Sequence, residues 1–162
     1  MAKKSGGGTP ATLALTRAGV EHRLHPYVHD PRAESYGLGA AEALGVDAER
    51  VFKTLMVSVD GTLAVGIVPV SGQLDLKALS RALGASKATM ADVQAAERAT
   101  GYVAGGISPV GQKRKHPTVL DDSALTHDTI FVSAGRRGLD LELAPADLVA
   151  ITEAITDRIG RS

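Results

Sequence analysis

Thr54-Leu55-Met56-Val57-Ser58-Val59-Asp60-Gly61-Thr62-Leu63-Ala64-Val65-Gly66-Ile67-Val68-Pro69-Val70 reads as two β-runs joined by a two-residue turn. Asp-Gly tolerates the positive φ angles that a tight hairpin requires, and the flanking runs are apolar and rich in β-branched residues. An antiparallel pair is therefore expected at 54–59 and 62–70. Toward the N-terminus, Ala40 to Leu44, closed by Gly45, reads as a small Ala-rich helix. His29 to Tyr36 reads as a loop and residues 21–27 as a short strand. Thr9-Pro10 opens a helix with a hydroxyl cap followed by a proline whose missing N–H costs nothing there. That helix carries Leu13 and Leu15 and stops at Gly19.

Toward the C-terminus, Asp75 to Leu83 has helical spacing in Leu76, Leu79 and Leu83. Asp92 to Thr100 is a second helix ended by Gly101. Short strands are expected at Val103-Ala104, Pro117 to Leu120, Thr129 to Ala134 and Leu139 to Leu143. A last helix starts at Pro145 with the stripe Leu148, Ile151, Ile155 and Ile159. Helices and strands interleave without a strict βαβ rhythm. The pattern predicts an α+β fold, with a mixed, barrel-like sheet core flanked by helices, over a doubly wound sheet.

The chain has 162 residues, 44% of them hydrophobic, enough for one domain with its own core. Residues 9–162 are expected to form that domain and residues 1–8, rich in glycine, a flexible tail. Eighteen Lys and Arg balance eighteen Asp and Glu, so nucleic acid would have to be met by a local patch. The absence of cysteine excludes disulfides, thiolate metal sites and a cysteine nucleophile of the protein's own. No apolar run approaches the ~20 residues that span a bilayer, and the first residues lack a secretion signal's apolar stretch. A soluble, cytoplasmic monomer without membrane contact is expected.

Three familiar signals fail. His22-x2-His25-x3-His29, beside Asp30, invites a metal. On a strand, however, His22 and His25 point to opposite faces, and Pro26 forbids a helix. Gly37-x-Gly39 lacks the third small residue of a dinucleotide fingerprint, because Glu42 stands there. Ser108 has no Gly-x-Ser-x-Gly context. Neither a metal nor a cofactor is expected.

The informative segment is Gly101 to Pro117, GYVAGGISPVGQKRKHP. Gly105 and Gly106 allow main-chain N–H groups to approach a ligand where a Cβ would collide, and Pro109 fixes the turn. Such a loop suits a carbonyl oxygen becoming an oxyanion, though an ordinary glycine-rich turn reads the same way. Lys113, Arg114 and Lys115 could meet phosphates or form a solvated charge run. Lys53 is a lone charge entering an apolar strand, a position also suited to snorkelling. Alternation puts Asp140 and Glu142 on a wet face, and Leu139, Leu141 and Leu143 on a dry one. Tyr27 and Tyr36 bracket a loop that a ligand could approach. Together these residues suggest a cleft without specifying a reaction.

Five motifs in order carry a resemblance: Tyr27-x-His29-Asp30, Val51-Phe52-Lys53-Thr54-Leu55, Gly72-Gln73-Leu74-Asp75-Leu76-Lys77, GYVAGGISPVGQK, and Arg137-Gly138-Leu139-Asp140-Leu141-Glu142-Leu143. With them the chain resembles the YbaK-type aminoacyl-tRNA deacylases, relatives of the editing insertion domain of bacterial prolyl-tRNA synthetases. The resemblance implies clearance of cysteine wrongly attached to tRNA(Pro), and also Cys-tRNA(Cys), through the 3′ end of the aminoacyl-tRNA. It places an active-site tyrosine at Tyr27, an essential lysine at Lys53, a neighbouring threonine at Thr54, an acid at Asp140 and a Gly-x-x-x-Pro loop at Gly105 to Pro109. It further implies that the substrate thiol attacks its own ester, while the protein positions it.

On that basis the N–H groups of Gly105 and Gly106 would hold the carbonyl oxygen. Lys53 would contact the terminal ribose or phosphate, and Asp140 would hold Lys53 or the substrate amino group. Tyr27, Tyr36, Thr54, Ile107, Ser108 and Pro109 would shape the pocket. The chain departs from the family at Tyr36, where its best-known members carry Phe. Alanyl, seryl or threonyl esters, or non-catalytic binding of aminoacyl-tRNA ends, are the alternatives. A transient complex with prolyl-tRNA synthetase is the implied partner.

Overall fold

The structure, a computed structural model, describes residues 8–28, 30, 32 and 36–162. Most of the expected tail and His29, with its part in the histidine spacing and the first motif, lie outside the described residues.

Local sequence chemistry sets most boundaries. In α1 (Pro10–Arg17) the Thr9 hydroxyl accepts from the Thr12 N–H at 3.2 Å, with proline in the first turn. β1 (Arg23–Pro26) is followed by α2 (Tyr36–Leu44), which begins inside the segment read as a loop. The hairpin is β2 (Phe52–Val59) and β3 (Thr62–Pro69), joined where Asp60 and Gly61 take φ of 50° and 87°. After β4 (Gln73–Leu74), Asp75 caps α3 (Leu76–Ala82). After β5 (Ala88–Met90), Asp92 caps α4 (Val93–Thr100), which closes on left-handed Gly101. The chain continues through β6 (Thr118–Asp121), β7 (Ile130–Arg136), β8 (Leu139–Leu143), α5 (Pro145–Thr152), β9 (Ile155–Asp157) and β10 (Gly160–Arg161).

The strands of the described residues form three mixed or antiparallel sheets, not a closed barrel. The largest runs β5-β2-β3-β6-β9, antiparallel up to β3 and parallel beyond it. The second is β1-β8-β7, antiparallel, and the third pairs β10 with β4. A bridge between Val51 and Phe131 brings the start of β2 to β7. Both faces of the large sheet are covered. Val65 and Ile67 pack into one cluster with Leu120, Leu141 and Leu148, while Ala64 and Val68 pack into another with Leu79, Val119 and Ile159. This period-two division is what a strand buried on both sides produces.

Two expectations are corrected. Val103-Ala104 is no strand, because the Ala104 N–H goes to the Glu97 carboxylate at 2.8 Å and the Val103 carbonyl receives Gly106 N–H at 2.9 Å. The last helix stops at Thr152, where Glu153 turns left-handed with φ of 56°. Ile155 then lies on β9, exposed beside β6, and Ile159 reaches the core from the segment between β9 and β10. Among the described residues no helix is long and apolar enough to cross a membrane, and no cluster of three or more His, Cys, Asp or Glu could hold a metal.

Candidate active site

A cavity of about 330 Å³ opens between the start of β2, the first turn of α2, the segment joining β5 to α4, and the β7–β8 hairpin. Of the residues singled out from sequence, Tyr27, Tyr36, Lys53, Thr54, Gly105, Ile107 and Asp140 line it. Gly106, Ser108 and Pro109 do not; they are buried behind the loop. Lys113, Arg114 and Lys115 are exposed away from the wall, and Lys115 pairs with Glu153.

Lys53 enters the cavity from β2, opposite Val68 in the ladder. Its ammonium has no hydrogen bond or ion pair among the described residues, and burial pushes its pKa below the usual lysine range. Asp140 on β8 sits between His25 and Ser133 in register and is only 5% exposed. The side of β8 expected to be wet is in fact the one that faces the cavity, where Asp140 is buried. Burial pushes its carboxyl pKa up to about 7. No Lys53–Asp140 ion pair is present among the described residues, which corrects one of the two partners foreseen for Asp140. Tyr27 stands close enough to feel it: burial first, and the Asp140 charge second, raise the phenol pKa. The Thr54 hydroxyl oxygen is buried in the same wall with no hydrogen-bond partner among the described residues.

The glycine loop is held from outside. Glu97 accepts from Ala104 N–H, and Arg137 donates Nε and Nη2 to the Ala104 carbonyl at 3.0 and 2.7 Å. The Gln112 amide donates to the Ser108 carbonyl at 3.0 Å, and the Tyr102 hydroxyl to the Val110 carbonyl at 2.6 Å. Gly106 N–H is engaged by Val103, so it is not the oxyanion donor expected of it. Gly105 and Ile107, which do line the cavity, have main-chain N–H groups with no acceptor among the described residues. The missing Cβ atoms also have a packing reason. A Cβ on Gly106 would fall 2.7 Å from the Arg136 Cα, and one on Gly105 would fall 2.7 Å from the Arg137 Nε.

Lys53, the buried Asp140, and Gly105 and Ile107, whose N–H groups have no acceptor among the described residues, thus line one small cavity with otherwise mostly apolar walls. Residues 31–151 match the family model described as the aminoacyl-tRNA editing domain. The chain belongs to that family. It is 42% identical over 113 residues, 69% of either chain, to EbsC of Enterococcus faecalis, which is named as a proposed Cys-tRNA(Pro)/Cys-tRNA(Cys) deacylase. Over 75 residues it is 44% identical to a proline–tRNA ligase of Shouchella clausii, covering 46% of this chain and 13% of the ligase. In fold it resembles a proposed trans-editing enzyme for prolyl-tRNA synthetase, with a TM-score of 0.83 over 94% of this chain and 96% of the other at 23% identity.

Sequence reasoning missed part of this editing domain's cavity. Ser133 lines it beside Asp140, but only the β7–β8 register, broken by a bulge between Ser133 and Arg136, puts it there. Met90, at the end of β5, a strand the sequence does not announce, and Val93, at the start of α4, are both exposed and form an apolar rim. Arg137 was visible only as a motif letter.

Proposed function

We propose that this editing domain is a trans-acting deacylase that clears cysteine esterified to tRNA(Pro) and to tRNA(Cys), using the thiol of the bound cysteinyl group as nucleophile. The observation that carries the reading is that Lys53, Gly105 and Ile107 line one cavity, with the Lys53 ammonium and the two N–H donors unengaged among the described residues, in a chain without cysteine. The substrate sulfur, as thiolate, attacks its own ester carbonyl. The C–O bond to the tRNA 3′ oxygen breaks, that oxygen takes up the proton, and water opens the cyclic thioester to free cysteine. Well-oriented intramolecular attack can be worth ~7–11 kcal/mol, of which ring strain forfeits part. Each oxyanion donor supplies a further ~2.7–4 kcal/mol.

Gly105 and Ile107 N–H would receive the developing oxyanion, and Lys53 would contact the terminal ribose or phosphate. Asp140 would hold the substrate α-ammonium, a cation that draws its raised pKa back down. The tRNA(Pro) series charged with Cys, Ala or Ser tests this directly. Cysteine should be released and the seryl ester spared; undiminished seryl hydrolysis overturns the substrate-thiol mechanism. Lys53→Ala should lower the rate by about 10²-fold, as loss of a charge-stabilising contact does. A change confined to affinity would instead indicate a binder.

A further inference from the structure

We propose that Arg137 is a positioning residue of the editing reaction, a clasp that aims the Gly105 N–H into the cavity. This rests on the deacylase reading above. Arg137 lies on the exposed turn between β7 and β8, yet its guanidinium is committed inward. Nε and Nη2 fork onto the single carbonyl oxygen of Ala104, and the cation stacks on the Tyr36 ring at 4.8 Å from its centroid. Gly105 lies beneath both groups. A Cβ there would stand 2.7 Å from Arg137 Nε and 2.9 Å from Tyr36 Cε2 and Cζ.

The consequence follows from the peptide bond. The Ala104 C=O and Gly105 N–H belong to one planar trans unit and point in opposite directions. Pinning the carbonyl toward Arg137 therefore directs the N–H the other way, and that N–H has no acceptor among the described residues. Gly105, with φ of 86°, supplies no steric resistance of its own to a flip of this unit. Glu97 grips the preceding N–H of Ala104 from α4, so the two side chains together fix the entry to the loop. Tyr36, in the wall of the same cavity, is tied to the loop through the same guanidinium. The arrangement is the preorganisation that an oxyanion donor needs.

The test is steady-state deacylation of Cys-tRNA(Pro) by the full chain and by Arg137→Gln and Arg137→Lys. Arg137→Gln should lower kcat about 10- to 100-fold, less than the ~10²–10³ lost when a donor is removed outright, with KM within about twofold. Lysine keeps the charge but cannot fork and stack together, so it should restore only a fraction. Unchanged kcat in Arg137→Gln overturns the clasp. So does full recovery in Arg137→Lys, or a rise in KM alone that shrinks with added salt, the mark of a phosphate contact. Inactive wild type would defeat the deacylase reading instead. The clasp is then judged by hydrogen exchange: Gly106 N–H, bonded to Val103, should exchange about tenfold faster in Arg137→Gln, with the β2–β3 ladder unchanged. An unaltered Gly106 rate overturns it.

Discussion

Asp140 shows how a single buried group ties stability to the work of the cavity. In an unfolded chain its carboxyl titrates near ~3.9, whereas in the folded protein burial raises it to about 7. Between these values the folded state keeps a proton that the unfolded state has released. Stability therefore falls as pH rises through that window, and the whole penalty stands above about 7. A shift of this size corresponds to on the order of 4 kcal/mol. Asp140→Asn cannot ionise and escapes the penalty. Its thermal midpoint should exceed the parent's by roughly 8–16 °C at pH 8, at ~2–4 °C per kcal/mol, and by little near pH 4. Thermal unfolding of both proteins at the two pH values checks this; an equal difference at both would assign the penalty to another group. A carboxyl kept at such cost in a cavity is suited to a cationic guest.

At the scale of elements, the segment from Gly101 to Gln112 has no regular structure and depends on side-chain anchors. Tyr102, 4% exposed, gives its hydroxyl to the Val110 carbonyl at 2.6 Å, and burial raises its pKa to about 12. Tyr102→Phe leaves that carbonyl without its donor and should cost ~1–3 kcal/mol. Denaturant unfolding should show this as a lower midpoint with an unchanged m-value. Such anchors also explain what the sequence could and could not convey. The hairpin was legible because Asp60-Gly61 carries its own turn chemistry, α1 because Thr9 and Pro10 open it, α3 through the spacing of its leucines and α4 through its stop at Gly101; the structure adds caps by Asp75 and Asp92. The end of α5 was not, since Ile155 and Ile159 continue a helical stripe that parallel pairing of β9 with distant β6 overrides. Parity along β8 correctly separated Leu139, Leu141 and Leu143 from Asp140. What covers the Asp140 side, however, depends on β2 and Tyr27, far away in sequence. The contact from Arg137 to Ala104 spans 33 positions and leaves no periodic trace.

Across the whole molecule, charge decides how much of a tRNA this domain can recognise alone. Eighteen cationic and eighteen anionic side chains leave no net attraction for a polyanion. With Arg137 committed to the Ala104 carbonyl, the exposed cations near the glycine loop include Arg136 on the β7–β8 turn, Arg98 on α4, and Lys113 and Arg114 farther along. A handful of phosphate contacts gives weak binding whose dependence on salt is shallow, with a slope of about 0.7 per contact on single strands. Phosphates position without reporting sequence, so an acceptor end held this way carries little information about the tRNA body. Cys-tRNA(Pro) and Cys-tRNA(Cys) should consequently be deacylated at rates within about threefold of each other by the isolated chain. Discrimination would then enter through a partner that does bind the body, and prolyl-tRNA synthetase is the candidate that this reading favours. Adding the synthetase to a mixture of the two charged tRNAs should tilt clearance toward Cys-tRNA(Pro). A preference of the isolated chain beyond about tenfold, or about 1.4 kcal/mol, would instead place the discriminating contacts within this domain.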